Sequence, residues 1–290
     1  MKKILSTILV IVILITTNAF VFVSVAYENM ISLHGCDITD EQLTEMITSG
    51  EIPLDTTSLL LSNNQISDLT PLTALTNLRS LNIRNNQISD LTPLKELINL
   101  WHLDILGNQI NDLAPLSGLK SLEYLNLSRN QINDLTPLSG LTSLRELWLF
   151  NNNIGNLTPL NRLANLRWLS LGSNQVANID PLKSLTNLEV LRLGDNLITD
   201  LNPLRGLKNL NHLRLDDNPV SDRQIAELFE FLGLDEEGSR PPFTTADALL
   251  ILRAVAGVTT LTDGQVARFE ISGKPTTNDA MRILRRVAGL

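Results

Sequence analysis

The run Asn86-Gln87-Ile88-Ser89-Asp90-Leu91-Thr92-Pro93-Leu94-Lys95-Glu96-Leu97-Ile98-Asn99-Leu100-Trp101-His102-Leu103-Asp104-Ile105 decides the fold. It recurs with small changes along the chain. Asn64, Asn86, Asn108, Asn130, Asn152, Asn174, Asn196 and Asn218 follow one another at 22-residue intervals without an insertion. Self-similarity at a fixed period of this length means stacked coils, a solenoid. Leucine or isoleucine falls at three fixed places before most of these asparagines, as in Leu78, Leu81 and Ile83 before Asn86. Two apolar residues one apart face the same side of a strand, so each coil is predicted to add a short parallel strand to one sheet. Eight coils at ~4.8 Å per strand give a sheet about 38 Å long.

The asparagine stands where the chain leaves the strand. Its amide carries two donors and an acceptor, which suits it to satisfy turn backbone that stacking removes from water. Pro71, Pro93, Pro115, Pro137, Pro159, Pro181 and Pro203 form a second ladder, preceded by Thr70, Thr92, Ala114, Thr136, Thr158, Asp180 and Asn202. Six of those seven are good N-cap residues and proline is favoured at the first helical position, so each coil should carry a short helical turn on the convex side. Asp68, Asp90, Asp112, Asp134, Asp200 and Asp222 form an acidic column, interrupted by Asn156 and Asn178. Such a column could serve a cation, but it lies just before each turn, where a carboxylate favours exposed N–H groups, and that capping role is the expectation.

The pattern N-x-I-x-D-L-x-P-L-x-x-L-x-x-L-x-x-L-x-L resembles the 22-residue leucine-rich repeats of the bacterial internalin type, over roughly residues 56–233. The resemblance implies a binding scaffold without catalysis. The expected fold is an α/β solenoid, with parallel strands on the concave face, short helical turns on the convex face and a small all-α C-terminal domain.

Composition agrees with a repeat. The chain has 290 residues with 59 Leu and 29 Asn, while Phe, Trp and Tyr together make 4%. Its interior must therefore be aliphatic. The net charge of -8 makes a nucleic acid an unfavourable partner. A single cysteine, Cys36, excludes a disulfide framework and a thiolate zinc site, and reads as a packing residue. No nucleophile elbow, phosphate loop or paired-histidine zinc motif occurs, so neither a catalytic residue nor a cofactor is expected. His102 and His212 lie on strands five coils apart, ~24 Å at standard spacing, too far to share a ligand.

Lys2 and Lys3 precede an apolar run, and no charge follows until Glu28. With Ser24 and Ala26 this fits a signal peptide over residues 1–26, a mature chain beginning at Tyr27, and a secreted or cell-surface protein of a Gram-positive bacterium. Residues 27–55 read as an N-terminal helical cap, with a helix from Ile38 to Ser49 started by Thr39 or Asp40 and stopped by Gly50. At the other end Ser221 and Gln224 make a capping box ahead of Ile225, Leu228 and Leu232, and Gly233 closes the segment 56–233. Residues 234–242 read as a linker.

Residues 243–290 contain a separate duplication. Thr244 to Val258 and Thr276 to Leu290 share ten of fifteen positions, each with apolar residues at helical spacing. This segment resembles a dockerin, which implies a cohesin-like scaffold as a partner. Its loops depart from that family: Arg268 falls at the first ligand position of one calcium loop, and Pro241 replaces the turn glycine of the other. An arginine there is incompatible with a carboxylate cage, so the tail reads as a dockerin-like fold that has lost its metal, and docking to a scaffold is in doubt with it.

The binding surface is expected on the concave face. Trp101, Tyr124, Trp148, Phe150 and Trp168 are the aromatics of the repeats, and none replaces a core leucine. Tyr124 and Trp168 share a column with His102, Glu146 and His212; Trp148 and Phe150 lie on the strand between. Tyr124, Glu146, Trp148, Phe150 and Trp168 should form one exposed surface, with Arg192 and Arg214 extending it as a charged margin. Large rings left in water invite a protein partner. The alternative is a polysaccharide, its sugars stacked on the same rings.

Overall fold

The computed structural model describes residues 29–235, 237 and 238, together with the backbone of 11–16 and 19–24. The two lysines ahead of the apolar run, the expected start at Tyr27 and the dockerin-like tail lie outside the described residues. Two compact units divide the chain, the first ending at Leu166 and the second beginning at Arg167.

In the first unit, strands β1 (Ile11–Thr16) and β2 (Ala19–Ser24) pair antiparallel, Ile11 opposite Ser24. Strand β3 (Met30–Ser32) leads into helix α1 (Asp40–Thr48), followed by β4 (Ser58–Leu60), β5 (Ser80–Asn82), β6 (His102–Asp104), β7 (Tyr124–Asn126) and β8 (Glu146–Trp148). Strands β3 to β8 run parallel, each paired with the next. From β4 onward the register advances by one repeat, so that Ser58, Ser80, His102, Tyr124 and Glu146 stand in one row and Leu60, Asn82, Asp104, Asn126 and Trp148 in the next. From β4 to β8 the middle residue of each strand is a fully buried leucine, and in β3 it is Ile31, also buried.

The second unit repeats the plan with β9 (Trp168–Ser170), β10 (Val190–Arg192) and β11 (His212–Arg214), parallel and in the same register, closed by α2 (Asp222–Leu232). Among the described residues no helix is long and apolar enough to cross a membrane.

The asparagine ladder ties coil to coil. The Nδ2 of Asn130 donates to the carbonyl of Leu127 in its own coil at 3.0 Å and to that of Ile105 in the preceding coil at 3.1 Å, while its Oδ1 accepts the N–H of Ile110 at 2.9 Å. Asn86, Asn108, Asn196 and Asn218 repeat these three bonds. The residue before each ladder asparagine turns the chain with positive φ: Asn63, Asn85, Gly107, Arg129 and Asn151 in the first unit, Ser173, Asp195 and Asp217 in the second. Gly107 is needed there for a second reason, since a Cβ would overlap the side chain of Asn85 in the preceding coil. A further ladder accounts for more of the asparagine content. Asn77, Asn99, Asn165 and Asn209 each donate to the carbonyl of the residue 23 positions earlier.

The convex turns differ from the sequence expectation in one respect. Seven 3₁₀ turns carry proline in second place, but Thr70 and its equivalents are the first residues of the turns, and the preceding leucine or isoleucine gives no side-chain cap. The cap comes from two residues earlier. Asp68, Asp90, Asp112, Asp134 and Asp200 accept the N–H of the turn's first residue at 2.8 to 2.9 Å, and Asn156 and Asn178 do so at 3.0 and 2.9 Å. An amide oxygen does the work of a carboxylate oxygen here, so the two asparagines continue the column. The hydrogen bonds from the Thr92 and Thr136 side chains and backbone hold Asp90 and Asp134 below the ordinary aspartate range.

Both end helices form as expected, each with a reciprocal capping box: Thr39 with Gln42 on α1, Ser221 with Gln224 on α2. The N-terminal segment 27–55 is more than a helix, because β3 adds a strand ahead of the first full repeat. Its coil places Cys36 where the ladder asparagine would stand. Asn64 Oδ1 accepts the N–H groups of Cys36 and Ile38 at 3.1 and 3.0 Å. Burial pushes the Cys36 thiol above its ordinary value, with Asp37 adding to the shift, as suits a packing residue. Asp40, the first residue of α1, accepts the N–H groups of Ser67 and Asp68 at 2.8 and 3.0 Å, tying the helix to the segment ahead of the first turn.

Candidate binding surface

Alternation along the strands sets which side chains face outward. In β6, β7 and β8 the outer residues are His102 and Asp104, Tyr124 and Asn126, Glu146 and Trp148, with Phe150 just past β8. The imidazole of His102 stacks on the ring of Tyr124, centroids 4.3 Å apart and planes 8° from parallel, and Trp101 meets His102 edge-on at 5.6 Å. Tyr124 and Trp148 are half-buried, whereas Phe150 and Trp101 keep 38% and 48% of their surface in water. The Trp101 carbonyl accepts the N–H of both Glu123 and Tyr124, at 2.8 and 3.0 Å, as the equivalent carbonyls of Arg79 and Glu123 do for the strands that follow them.

The charges at this surface are unevenly buried. Asp104 is 5% exposed; burial pushes its carboxyl above the ordinary range, offset by the Leu106 N–H at 3.2 Å and by Arg84, His102 and Asn126. Burial pushes His102 below its ordinary value, against the attraction of Asp104 and Glu146. The depressed value favours the neutral imidazole, which is compatible with stacking on a phenol ring. Burial also raises the Tyr124 hydroxyl, with Asp104 and Glu146 as its acidic neighbours. The result is an aromatic face with a negative centre.

In the second unit Trp168 and Val190 share a row with His212, and Ser170 and Arg192 share the next with Arg214. The Arg192 guanidinium lies 5.0 Å from the Trp168 ring centroid, within cation–π range. Arg145 pairs with Glu123 at 3.1 Å in the first unit, and Arg167 with Glu189 at 3.2 Å in the second.

The structure thus gathers His102, Tyr124, Glu146, Trp148 and Phe150 in the first unit, and Trp168, Arg192 and Arg214 in the second. The sequence reading missed Asp104 and Asn126, which occupy the same row as Trp148. The available signal was that Asp104 is the one carboxylate in a row otherwise holding Leu60, Asn82, Asn126, Trp148, Ser170, Arg192 and Arg214. Chemically, an aromatic face with a desolvated carboxylate and a neutral histidine is equipped to hold a ligand by ring contact and charge.

Comparison with known proteins agrees with this architecture. A repeat family described as Leucine Rich repeats (2 copies) matches residues 57–96, 98–140, 120–162, 142–184, 164–206 and 186–228. No curated protein matches in the corresponding sequence comparison. Among solved structures, internalin C2 of Listeria monocytogenes is 36% identical, with a TM-score of 0.54, over 67% of this chain and 73% of that one. A leucine-rich repeat protein of Leptospira interrogans is 34% identical, with a TM-score of 0.58, over 64% of this chain and 49% of that one. A plant peptide hormone receptor in complex with RGF2 is 26% identical, with a TM-score of 0.53, over 60% of this chain and 30% of that one. With the repeat match spanning more than half its length, the chain belongs to the leucine-rich repeat family.

Proposed function

We propose that the protein is a non-catalytic binding protein, exported by residues 1–26, that holds a protein partner on the strand face of its repeats, the concave side of the array. The observation that carries this is the aromatic and acidic surface of β6 to β8. In the coils before it the same two rows hold Ser58, Ser80, Leu60 and Asn82, small or aliphatic residues. Here they hold His102, Tyr124, Glu146, Asp104 and Trp148. Aromatic side chains at strand-face positions place large hydrophobic areas where only a partner can cover them, and such residues dominate binding energy in protein interfaces. The peptide hormone receptor named above was solved in complex with RGF2, which supports a peptide or protein ligand on this architecture.

The test separates ligand classes. The chain is immobilised and exposed to a cell-surface protein extract, and in parallel to a glycan array. Saturable capture of a protein together with a blank array is the expected result. Saturable glycan binding without a protein partner would overturn the proposal in favour of a polysaccharide ligand.

A further inference from the structure

The C-terminal cap helix carries a groove that the repeat array does not use. A cavity of about 600 Å³ runs along α2, lined by Asp222, Ile225, Ala226, Phe229, Glu230, Leu234 and Asp235. Asp222, Ile225, Ala226, Phe229 and Glu230 recur at helical spacing; Asp222, Ala226 and Glu230 are exposed, Ile225 is half-buried, and Phe229 is buried with Leu228 and Leu232. Its floor is apolar and its rim acidic. Neither Asp222 nor Glu230 pairs with a cation among the described residues.

The described chain ends beside this groove. After α2 the backbone turns at Gly233 with φ 71°, and the carbonyl of Gly238 accepts the N–H of Leu213 at 2.7 Å, beside β11. A Cβ at Gly238 would meet the Leu213 carbonyl first and the Phe229 ring next, at 2.9 Å, so the described chain ends between β11 and the Phe229 side chain. Residues 239–290 carry seven Lys and Arg against four Asp and Glu, a net of +3 in a chain whose net charge is -8, so residues 1–238 carry -11. The basic charge is concentrated at the end. The second copy of the duplication, 276–290, contains Arg282, Arg285 and Arg286, where the first copy has Arg253 alone. Ile283, Leu284, Val287 and Leu290 fall at i, i+1, i+4 and i+7, an apolar stripe flanked by those arginines.

We propose that the groove on α2 is the docking site of residues 276–290 of the same chain, their apolar stripe on Ile225, Ala226 and Phe229 and their arginines against Asp222, Glu230 and Asp235. The tail then closes the C-terminal end of the array, and its first copy stays available for other contacts.

Hydrogen exchange of the full-length protein tests this. Two variants are compared with the parent: Arg282→Glu with Arg285→Glu and Arg286→Glu, which reverses the charge, and Ala226→Trp, which fills the groove from an exposed helix position. Each should raise exchange about tenfold in peptides from both 222–234 and 276–290, with residues 57–200 unchanged. The parent's protection should persist over about a hundredfold dilution, as an intrachain contact requires. Unchanged exchange of 222–234 in both variants would overturn the assignment. Protection that fades on dilution would overturn it in favour of a second copy.

Discussion

Replacing Asn130 by alanine tests how the ladder holds the array, and the structure supplies the magnitude. Four buried backbone groups lose a partner: the N–H of Ile110 and the carbonyls of Ile105, Leu127 and Ser128. The carbonyls are not orphaned. Ile105 still accepts from Asn108 at 3.0 Å, Leu127 from Asn152 at 3.0 Å and Ser128 from the Gly107 N–H at 2.9 Å. The Ile110 N–H has one acceptor, so the variant carries one desolvated donor, at a cost of about 1–3 kcal/mol, plus three weakened carbonyls at a few tenths each. A loss of about 2–3 kcal/mol corresponds to a fall of roughly 5–10 °C in Tm for an array of this size. Because the bonds join successive coils, the loss should appear as a shift of the whole transition. Thermal unfolding followed by circular dichroism is the assay, with Gln131→Ala at the adjacent exposed position as the control. Asn218→Ala, at a half-buried site near the end, should cost less. A shift equal to the control, or a separate early transition, would refute the reasoning.

Three further outcomes follow from the same geometry. Asp134→Asn should leave neutral stability nearly unchanged, whereas Asp134→Ala should cost about 0.5–1 kcal/mol of the turn cap. Because the folded Asp134 pKa is depressed, its contribution is full above about pH 4 and lost as pH falls through the folded value; the asparagine variant should lack this acid dependence in urea titrations. Arg129→Gly should stabilise the protein by about 1 kcal/mol, since Arg129 holds φ 56° where Gly107 stands in the preceding coil; unchanged urea midpoints would contradict this. His102 also has a depressed folded pKa, so its contribution is full above about pH 6.5 and lost as pH falls through the folded value; stability measured against pH should lose this component in His102→Phe.

What the sequence discloses depends on whether a feature obeys the 22-residue period. The strands, the ladder and the inward leucines all obey it, and each is where the period predicts. Strand β3 does not: Met30–Ser32 precedes β4 by 28 residues because α1 is inserted, so neither the extra strand nor the ladder position of Cys36 was legible. The threonine-proline pairs carry an N-cap signature, but a 3₁₀ turn begins at the threonine, and the capping atom belongs to the acidic column. At the surface, the repeat frame marks outward positions without telling how far adjacent rows cover them. Ser170 and Asp104 both occupy strand-face positions, and both are nearly inaccessible, at 3% and 5% exposed. An aromatic at a variable position has no room in a leucine core, but the frame does not give its exposure: Phe150 keeps 38% of its surface in water, whereas Tyr124, Trp148 and Trp168 are half-buried.

The measurement closest to the central claim is partner capture by a Trp148→Ala, Trp168→Ala double variant. Both rings lie on the strand face and neither fills a core leucine position. The variant should keep the circular dichroism spectrum of the parent and melt cooperatively, while the protein captured by the parent from a surface extract is lost. Undiminished capture by a folded variant would contradict the assignment of the binding surface, and collapse of the repeats would show that the two rings serve the fold.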